Sequence, residues 1–175
     1  MKRFISFLRC IVLLSLLVVI PFHQSSGQER VNLSAGLGLP ELLNLGVRYQ
    51  IEQTQLGLSF GTFPSEDKLF SISGDVFYHF GETSILSKRR LWYGRFGLTY
   101  LRDETDALID KYLYLNLRVG RDINFSEKVG IEIDAGIVFQ VMNERTRKKP
   151  SNSWFNLDLD FPVLPSIGVC LFYRI

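Results

Sequence analysis

Hydrophobic and polar residues alternate one by one along most of the chain beyond residue 30. A β-strand places successive side chains on opposite faces, so this period of two predicts strands with one apolar and one polar face. The pattern recurs in eight segments, at about 31–39, 45–51, 55–61, 70–80, 92–100, 113–120, 131–141 and 166–175. Several of them reach the roughly 9–11 residues that a tilted strand needs to cross a membrane.

The alternation by itself fits two kinds of barrel, one with the apolar face inside and one with the apolar face outside. Lysine discriminates between them, because a water-facing sheet surface normally carries lysines along its length. In the alternating region every lysine lies in a turn, in a loop or at a strand end: Lys68, Lys88, Lys111, Lys128, Lys148 and Lys149. The polar face is instead rich in Gly, Ser and Asn with a few charges, which suits a crowded interior where charges must pair. We therefore predict that the polar face is inside.

The aromatic residues of the apolar face fall at two depths. An even number of strands puts both termini on one side, and one group then lies near that rim: Tyr49, Tyr78, Phe80, Trp92 and Tyr173. A second group lies near the opposite rim: Phe60, Phe70, Tyr100 and Phe139. Two aromatic girdles around an aliphatic band are typical of outer-membrane barrels. The sequence therefore predicts an all-β fold, an eight-stranded antiparallel up-and-down transmembrane β-barrel.

The first residues predict export. Three basic residues flank the start of an uncharged, largely apolar run of 13 residues, 10–22. A membrane-spanning helix needs about 20 such residues, so a cleaved signal peptide over 1–27 is favoured over a retained anchor. The barrel domain then spans 28–175 and carries 17 Lys+Arg against 18 Asp+Glu, because three of the 20 basic and none of the 18 acidic residues are removed. This balance gives no case for nucleic-acid binding.

The connections between the segments are of two lengths. Residues 52–54 and the turn around Phe125 are short, as periplasmic turns are, whereas 103–110 and 143–165 are long, as external loops are. Residues 154–161 also alternate. They belong either to the last external loop or to the start of strand eight. The sequence leaves both readings open, because Pro162 and Pro165 interrupt the pattern where the loop would meet the strand.

The chain resembles the small eight-stranded outer-membrane barrels of the OmpA/OmpX type. The resemblance covers about 29–175 and is carried by the eight alternating strands, by the segment 92–100 (WYGRFGLTY) and by the end 168–175 (GVCLFYRI). In that group the last strand commonly ends in an aromatic residue that serves as an assembly signal; here Ile175 is last and Tyr173 precedes it by two. The resemblance implies a monomer in the bacterial outer membrane, with outer-membrane lipid and the barrel-assembly machinery as partners.

Charged residues of the polar face predict an interior network. Its members are Arg48, Arg95, Arg118 and Arg174 against Asp75, Glu132 and Asp134. An eight-stranded barrel is only wide enough for its side chains to fill it, and buried charges must pair. If strands six and seven meet symmetrically about Phe125, Arg118 lies opposite Glu132 and Asn116 lies opposite Asp134. On strands four and five we expect Asp75 to meet Arg95, directly or on a diagonal after a slip of two residues.

Candidate catalytic and metal-binding residues are few. His79 is the one histidine beyond the signal peptide, and we read it as an inward polar residue near the rim of the termini and not as a catalytic base. One His and one Cys give no zinc spacing. A cluster of acids in the third external loop could hold Ca²⁺, although a solvated acidic loop is favoured: Asp103, Glu104, Asp106 and Asp110. We expect no catalytic site, metal or cofactor.

A basic run lies in the last predicted external loop: Arg145, Arg147, Lys148 and Lys149. Arg and Lys bind phosphate well, so a contact with lipopolysaccharide phosphates is one hypothesis and an ordinary solvated loop is the other.

Three functions fit these observations, because one fold hosts many roles. The first is a non-enzymatic barrel with a structural or surface-interaction role. The second is transport of a small solute or a hydrophobic ligand across the outer membrane. The third is a lipid-modifying enzyme, which the shortage of histidine disfavours.

Overall fold

The computed structural model describes residues 30–63, 68–105, 108–147 and 162–175. They form eight antiparallel strands: β1 (Val31–Gly38), β2 (Leu42–Ile51), β3 (Thr54–Thr62), β4 (Lys68–Thr83), β5 (Arg90–Glu104), β6 (Leu108–Asn124), β7 (Val129–Arg147) and β8 (Val163–Arg174). Each strand pairs with its sequence neighbours, and β1 also pairs with β8, which closes the sheet into a barrel. The predicted fold class is confirmed. Among the described residues, no helix is long and apolar enough to cross a membrane.

The polar face lies inside the barrel, as the lysine distribution predicted. On β4 the inward residues Ser73 and His79 are 1% and 3% exposed, whereas the outward Tyr78 between Phe77 and His79 is 55% exposed. The same alternation of buried and exposed positions runs along β2, β3 and β8. Leucine, isoleucine, valine and aromatic side chains therefore cover the outer surface, and the core is built mainly from polar and charged groups, with a few buried aromatic rings such as Phe77, Tyr93 and Phe172.

The register separates the two rims. Val31 pairs with Tyr49, and Asn32 pairs with Arg174, so both termini lie at one end, here called the terminal end. Phe80 pairs with Trp92 at this same end. At the other end, here called the distal end, the Phe70 ring lies 6.2 Å from that of Phe60 and 6.3 Å from that of Tyr100. The predicted grouping of these aromatic residues agrees with the register.

The wall of the barrel has unequal height at the distal end. β8 starts at Val163 opposite Phe139, whereas the β6–β7 ladder continues for eight more residues of β7, to Leu108 opposite Arg147. The prediction of a long external loop over 103–110 is wrong, because β5 and β6 extend to Glu104 and from Leu108. The predicted loop start at residue 143 is wrong for the same reason. At the distal end, β5, β6 and β7 form a three-stranded extension, here called the tall ribbon. It rises beyond a low wall formed by β8, β1 and β2.

Connections at the terminal end are short. Two residues join β2 to β3, six join β4 to β5, and four join β6 to β7. β4 carries a bulge between Phe80 and Thr83, where Gly81 has a φ of 77° and an added Cβ would lie 3.1 Å from the Trp92 ring. The predicted signal peptide, the segment 154–161 and Lys148 and Lys149 lie outside the described residues.

Candidate functional site

The candidate site is the charged interior of the barrel. All seven predicted interior residues have their side chains inside the closed sheet: Arg48, Asp75, Arg95, Arg118, Glu132, Asp134 and Arg174. Small polar residues on the same inner face, such as Ser34 and Ser73, are buried as well. The geometry decides which of these charges meet.

Two arginines stand side by side at the centre. Arg95 and Arg118 face each other directly on β5 and β6. Like charges in such positions repel, so they need acids between them. Asp134 bridges the two, with 3.4 Å to Arg95 Nη1 and 3.0 Å to Arg118 Nη1. Asp75 completes the Arg95 side by accepting two bonds from its guanidinium, of 2.9 Å from Nε and 2.8 Å from Nη2.

The second bridge comes from Glu41, which the sequence analysis did not include. Its Oε1 accepts a bond of 2.9 Å from Arg95 Nη2, and its Oε2 accepts one of 2.5 Å from Arg118 Nη2. Glu41 belongs to the β1–β2 turn, yet it is only 2% exposed, because this turn folds into the barrel and does not project from it. Three carboxylates thus surround two guanidiniums in one connected network.

The inward turn is held by several strands. The Glu41 carbonyl accepts a bond of 2.8 Å from Ser71 Oγ on β4. The Leu39 carbonyl accepts bonds of 2.5 Å from Arg118 Nη2 on β6 and from Ser166 Oγ on β8. Gly61 makes room for the turn, since an added Cβ there would overlap the main-chain oxygen of Glu41. The turn therefore closes the low side of the barrel with its own backbone.

One signal in the sequence could have found Glu41. The predicted interior set holds four arginines against three acids, which leaves one positive charge without a partner. Buried charges must be compensated, so this imbalance requires a further acid. The structure supplies two further acids, Glu41 from a turn and Asp122 from β6.

The expected pairing of Asp75 with Arg95 occurs on a diagonal. Asp75 lies directly opposite Gly97, and Arg95 lies opposite Phe77, which is the slip of two residues already considered. Gly97 is needed for this contact, because a Cβ there would overlap the Asp75 carboxylate.

The expected pairing of Arg118 with Glu132 is wrong. Arg118 lies opposite Gly136, Glu132 lies opposite Asp122, and Asn116 lies opposite Val138. β6 continues to Asn124, so the turn is centred beyond Phe125. The partner of Arg118 on β7 is therefore residue 136 and not residue 132, a shift in register of four residues. Side chains still alternate correctly, because an even shift preserves the faces.

Glu132 instead forms an ion pair across the barrel. Its carboxylate accepts from Arg48 Nη1 on β2, and the side chains of the two residues are 4% and 8% exposed. The Arg48 guanidinium carbon also lies 4.3 Å from the centre of the Phe77 ring. Nearer the terminal end, Arg174 donates to Asp122 at 3.4 Å, to Asn124 at 2.7 Å and to the Glu127 carbonyl at 3.0 Å.

This packing leaves little free space at the centre. The cavity beside Glu41, Arg48, Arg95 and Arg118 has a volume of about 20 Å³. That is room for about one water molecule. A larger cavity of about 270 Å³ opens at the terminal end, between the β2–β3 and β4–β5 turns.

His79 lies at the edge of this larger cavity. It faces inward near the terminal end, as the sequence predicted, and it is buried. Its Nδ1 lies 3.3 Å from the main-chain oxygen of Arg90, and its ring lies 5.5 Å from that of Tyr93. A catalytic histidine is usually oriented by a carboxylate, whereas this contact is with a main-chain carbonyl.

The candidate calcium ligands are divided between two faces of the ribbon. Asp103 and Asp110 lie opposite each other, whereas Glu104 is on the other face of β5 and accepts a bond of 2.7 Å from Arg102. Asp106 lies outside the described residues. Within the described ranges, no group of three or more His, Cys, Asp or Glu side chains could hold a metal ion.

The basic run is only partly described. Arg145 is on β7 and not in a loop, and its Nε donates to Asp110 Oδ1 at 2.9 Å. Arg147 ends β7, with its backbone opposite Leu108. Arg145 and Arg147 therefore belong to the tall ribbon.

Comparisons with known proteins identify the fold. No protein-family model and no curated protein matches this sequence. Among solved structures, the chain is similar to the crystal structure of the N-terminal β-barrel domain of Pseudomonas aeruginosa OprF, with a TM-score of 0.55. The match covers 84% of this chain and 99% of that chain, at 18% sequence identity. At 18% identity this similarity shows a shared fold and nothing further.

Proposed function

Because the chain shares the eight-stranded barrel fold of the OprF domain, we propose that it is a non-enzymatic outer-membrane β-barrel with a structural or surface-interaction role. The observation that carries the proposal is a combination of two features: the outer surface of the barrel is apolar, and its interior is filled by ion pairs. Each half of that observation supports a different part of the proposal.

The outer surface supports a membrane location. Apolar side chains on the outer face of several strands are largely exposed, among them Leu45 at 70%, Leu58 at 67% and Ile167 at 57%. A soluble monomer rarely exposes a continuous apolar surface larger than a few hundred Å². Lipid accepts such a surface, and a closed sheet pairs its backbone groups without water.

The interior supports a barrel that is closed to solutes. Arg118, Glu41 and Asp134 occupy the centre, and their side chains are 0–6% exposed. Moving a solute through would break ion pairs in a space where an unpaired charge costs several kcal/mol. This observation favours a structural or binding role over the alternative of small-solute transport.

The tall ribbon is the surface best suited to contact other molecules. It extends β5, β6 and β7 beyond the low wall and combines charged with aromatic side chains. Tyr112 and Tyr114 stack on its inner face with their ring centres 5.7 Å apart, next to Arg145 and Asp110. The basic run Arg145, Arg147, Lys148 and Lys149 is part of this proposal as a contact for lipopolysaccharide phosphates. Arg145 already forms an ion pair with Asp110.

The experiment that tests the proposal combines localisation with conductance. We expect the protein to fractionate with the outer membrane and to migrate faster on gels when it is not heated, because closed barrels resist unfolding in detergent. In planar bilayers it should give little or no steady conductance. Recovery as a soluble monomer without detergent would contradict the membrane location, and a large, stable conductance would contradict the closed interior.

A further variant tests the lipid contact. We expect replacement of Arg145, Arg147, Lys148 and Lys149 by Ser to reduce the lipopolysaccharide that co-purifies with the folded barrel. Near an anionic membrane surface each basic residue contributes about 1 kcal/mol, and the pairing of Arg145 with Asp110 lowers its share. The reference variant is Lys128→Ser at the terminal end, which should retain the lipid. Unchanged lipid in the fourfold variant would support a solvated segment.

A further inference from the structure

The outer surface of the barrel carries few charges, and those at the distal end are paired. On the outer face of the tall ribbon, Arg102 donates to Glu104 at 2.7 Å on β5. Lys111 on β6 donates to Glu144 on β7 at 3.0 Å. Each of these two cations therefore has a carboxylate of the protein as its partner.

The surroundings of Arg121, toward the terminal end, are different. The outward residues before and after it on β6 are Val119 and Ile123, and both are exposed. Across the sheet it lies opposite Trp92 on β5 and Ile133 on β7. This arginine is thus set into the apolar outer surface of the barrel, close to the aromatic girdle of the terminal end.

The Trp92 ring is held between β4 and Arg121. The Arg121 guanidinium carbon lies 5.4 Å from the centre of this ring. On the other side, the ring lies over Gly81 of the β4 bulge, where an added Cβ would come within 3.1 Å of it. A cation over the face of an indole is favourable, but it leaves the hydrogen bonds of the guanidinium unused.

A second arginine is on the same face. Arg90 precedes Trp92 by two residues on β5, so alternation places it on the outer side as well. In the part of the chain that the structure describes, neither Arg90 nor Arg121 forms an ion pair, and Glu82 in the nearby β4 bulge contacts neither. A charge on an apolar surface is unfavourable unless a polar group reaches it, so these two arginines need an anion from outside the protein.

We propose that Arg121, Trp92 and Arg90 bind the headgroup of an anionic phospholipid, such as phosphatidylglycerol, in the leaflet at the terminal end. This inference rests on the membrane location proposed above. Guanidinium groups donate pairs of hydrogen bonds to phosphate oxygens, and tryptophan is typical of the boundary between lipid and water. A zwitterionic headgroup also brings an ammonium group, which finds no paired carboxylate here, so a net negative headgroup is preferred.

The test measures which lipid contacts Trp92. The chain has two tryptophans, so the parent variant Trp154→Phe keeps Trp92 as its single fluorophore. It is reconstituted in phosphatidylcholine vesicles that contain equal fractions of brominated phosphatidylglycerol or brominated phosphatidylcholine, whose bromine quenches tryptophan fluorescence. Each basic residue near an anionic surface contributes about fivefold, so two should give a preference for phosphatidylglycerol of more than about tenfold at low salt. High salt should reduce this preference, because it screens exposed charges.

Charge variants of the parent identify the residues responsible. Arg121→Gln and Arg90→Gln should each lower the preference about fivefold, whereas Arg121→Lys should retain most of it because the charge remains. The control Lys128→Gln removes a charge at the same end of the barrel, in the β6–β7 turn, and should leave the preference unchanged. Unheated gel mobility verifies that each variant is folded.

Three results would overturn the inference. Equal quenching by the two brominated lipids in the parent would exclude headgroup selection at Trp92 and leave the membrane location intact. Equal losses in Arg121→Gln and Lys128→Gln would indicate attraction by the overall surface charge and not a site. Absence of quenching by both lipids would show that Trp92 does not face lipid, and this result would contradict the proposed membrane location as well.

Discussion

The ion pair of Glu132 with Arg48 offers the sharpest test of the interior. Both side chains are nearly inaccessible, and the pair joins β7 to β2 across the barrel. Removing one partner of a buried pair leaves an uncompensated charge and costs about 3–5 kcal/mol. We expect Glu132→Gln and Arg48→Gln each to lose about 3 kcal/mol, the lower limit of that range, because Gln still forms a hydrogen bond.

The double variant should lose far less than the sum of the single losses. Each single change strands one charge, whereas the double change strands none. We therefore expect a coupling free energy of about 2 kcal/mol or more. The contact of Arg48 with Phe77, 4.3 Å from guanidinium carbon to ring centre, is lost in Arg48→Gln and in the double variant alike, so it cancels from the coupling free energy. Urea unfolding in lipid vesicles, followed by tryptophan fluorescence, measures these free energies.

Charge reversal provides a matched control. Glu132→Arg should destabilise the barrel strongly, and adding Arg48→Glu should restore much of the loss. Adding Arg118→Glu should not, because Arg118 contacts Glu41 and Asp134 and lies opposite Gly136. Additive effects in the Arg48 cycle, or rescue by the Arg118 change, would refute the observed register and the cross-barrel pair.

Two further predictions concern the inward turn. Glu41→Ala should lower the free energy of unfolding by about 2–4 kcal/mol and raise the conductance in planar bilayers, because it removes one of the two carboxylates that bridge Arg95 and Arg118. The control variant Glu127→Gln, at an exposed position, should change neither measurement. In thermal unfolding, Gly61→Ala should cost about 1–3 kcal/mol, because its Cβ would overlap the Glu41 backbone. Gly74→Ala, where an added Cβ meets nothing within 4 Å, should be neutral or mildly stabilising. Equal effects of the two glycine changes would contradict the inward position of the turn.

The sequence determined the strands and their faces. Alternation with a period of two assigns residues 70–80 of β4, for example, to the inside or the outside, and the absence of lysine from the eight alternating segments identified the polar side as the inner one. The contact of Asp75 with Arg95 was predictable because a long arginine side chain tolerates a slip of two residues.

The tertiary structure decided the register of β6 with β7 and the partners of the charges. A shift of four residues leaves every side chain on its predicted face, so the pattern cannot distinguish Arg118 opposite Glu132 from Arg118 opposite Gly136. It also decided the position of Glu41. A turn has no alternation from which its direction could be predicted. The inward path of this turn depends on the space that Gly61 provides and on the ion pairs that Glu41 forms with Arg95 and Arg118. The two arginines come together only when β5 and β6 lie side by side in the closed barrel.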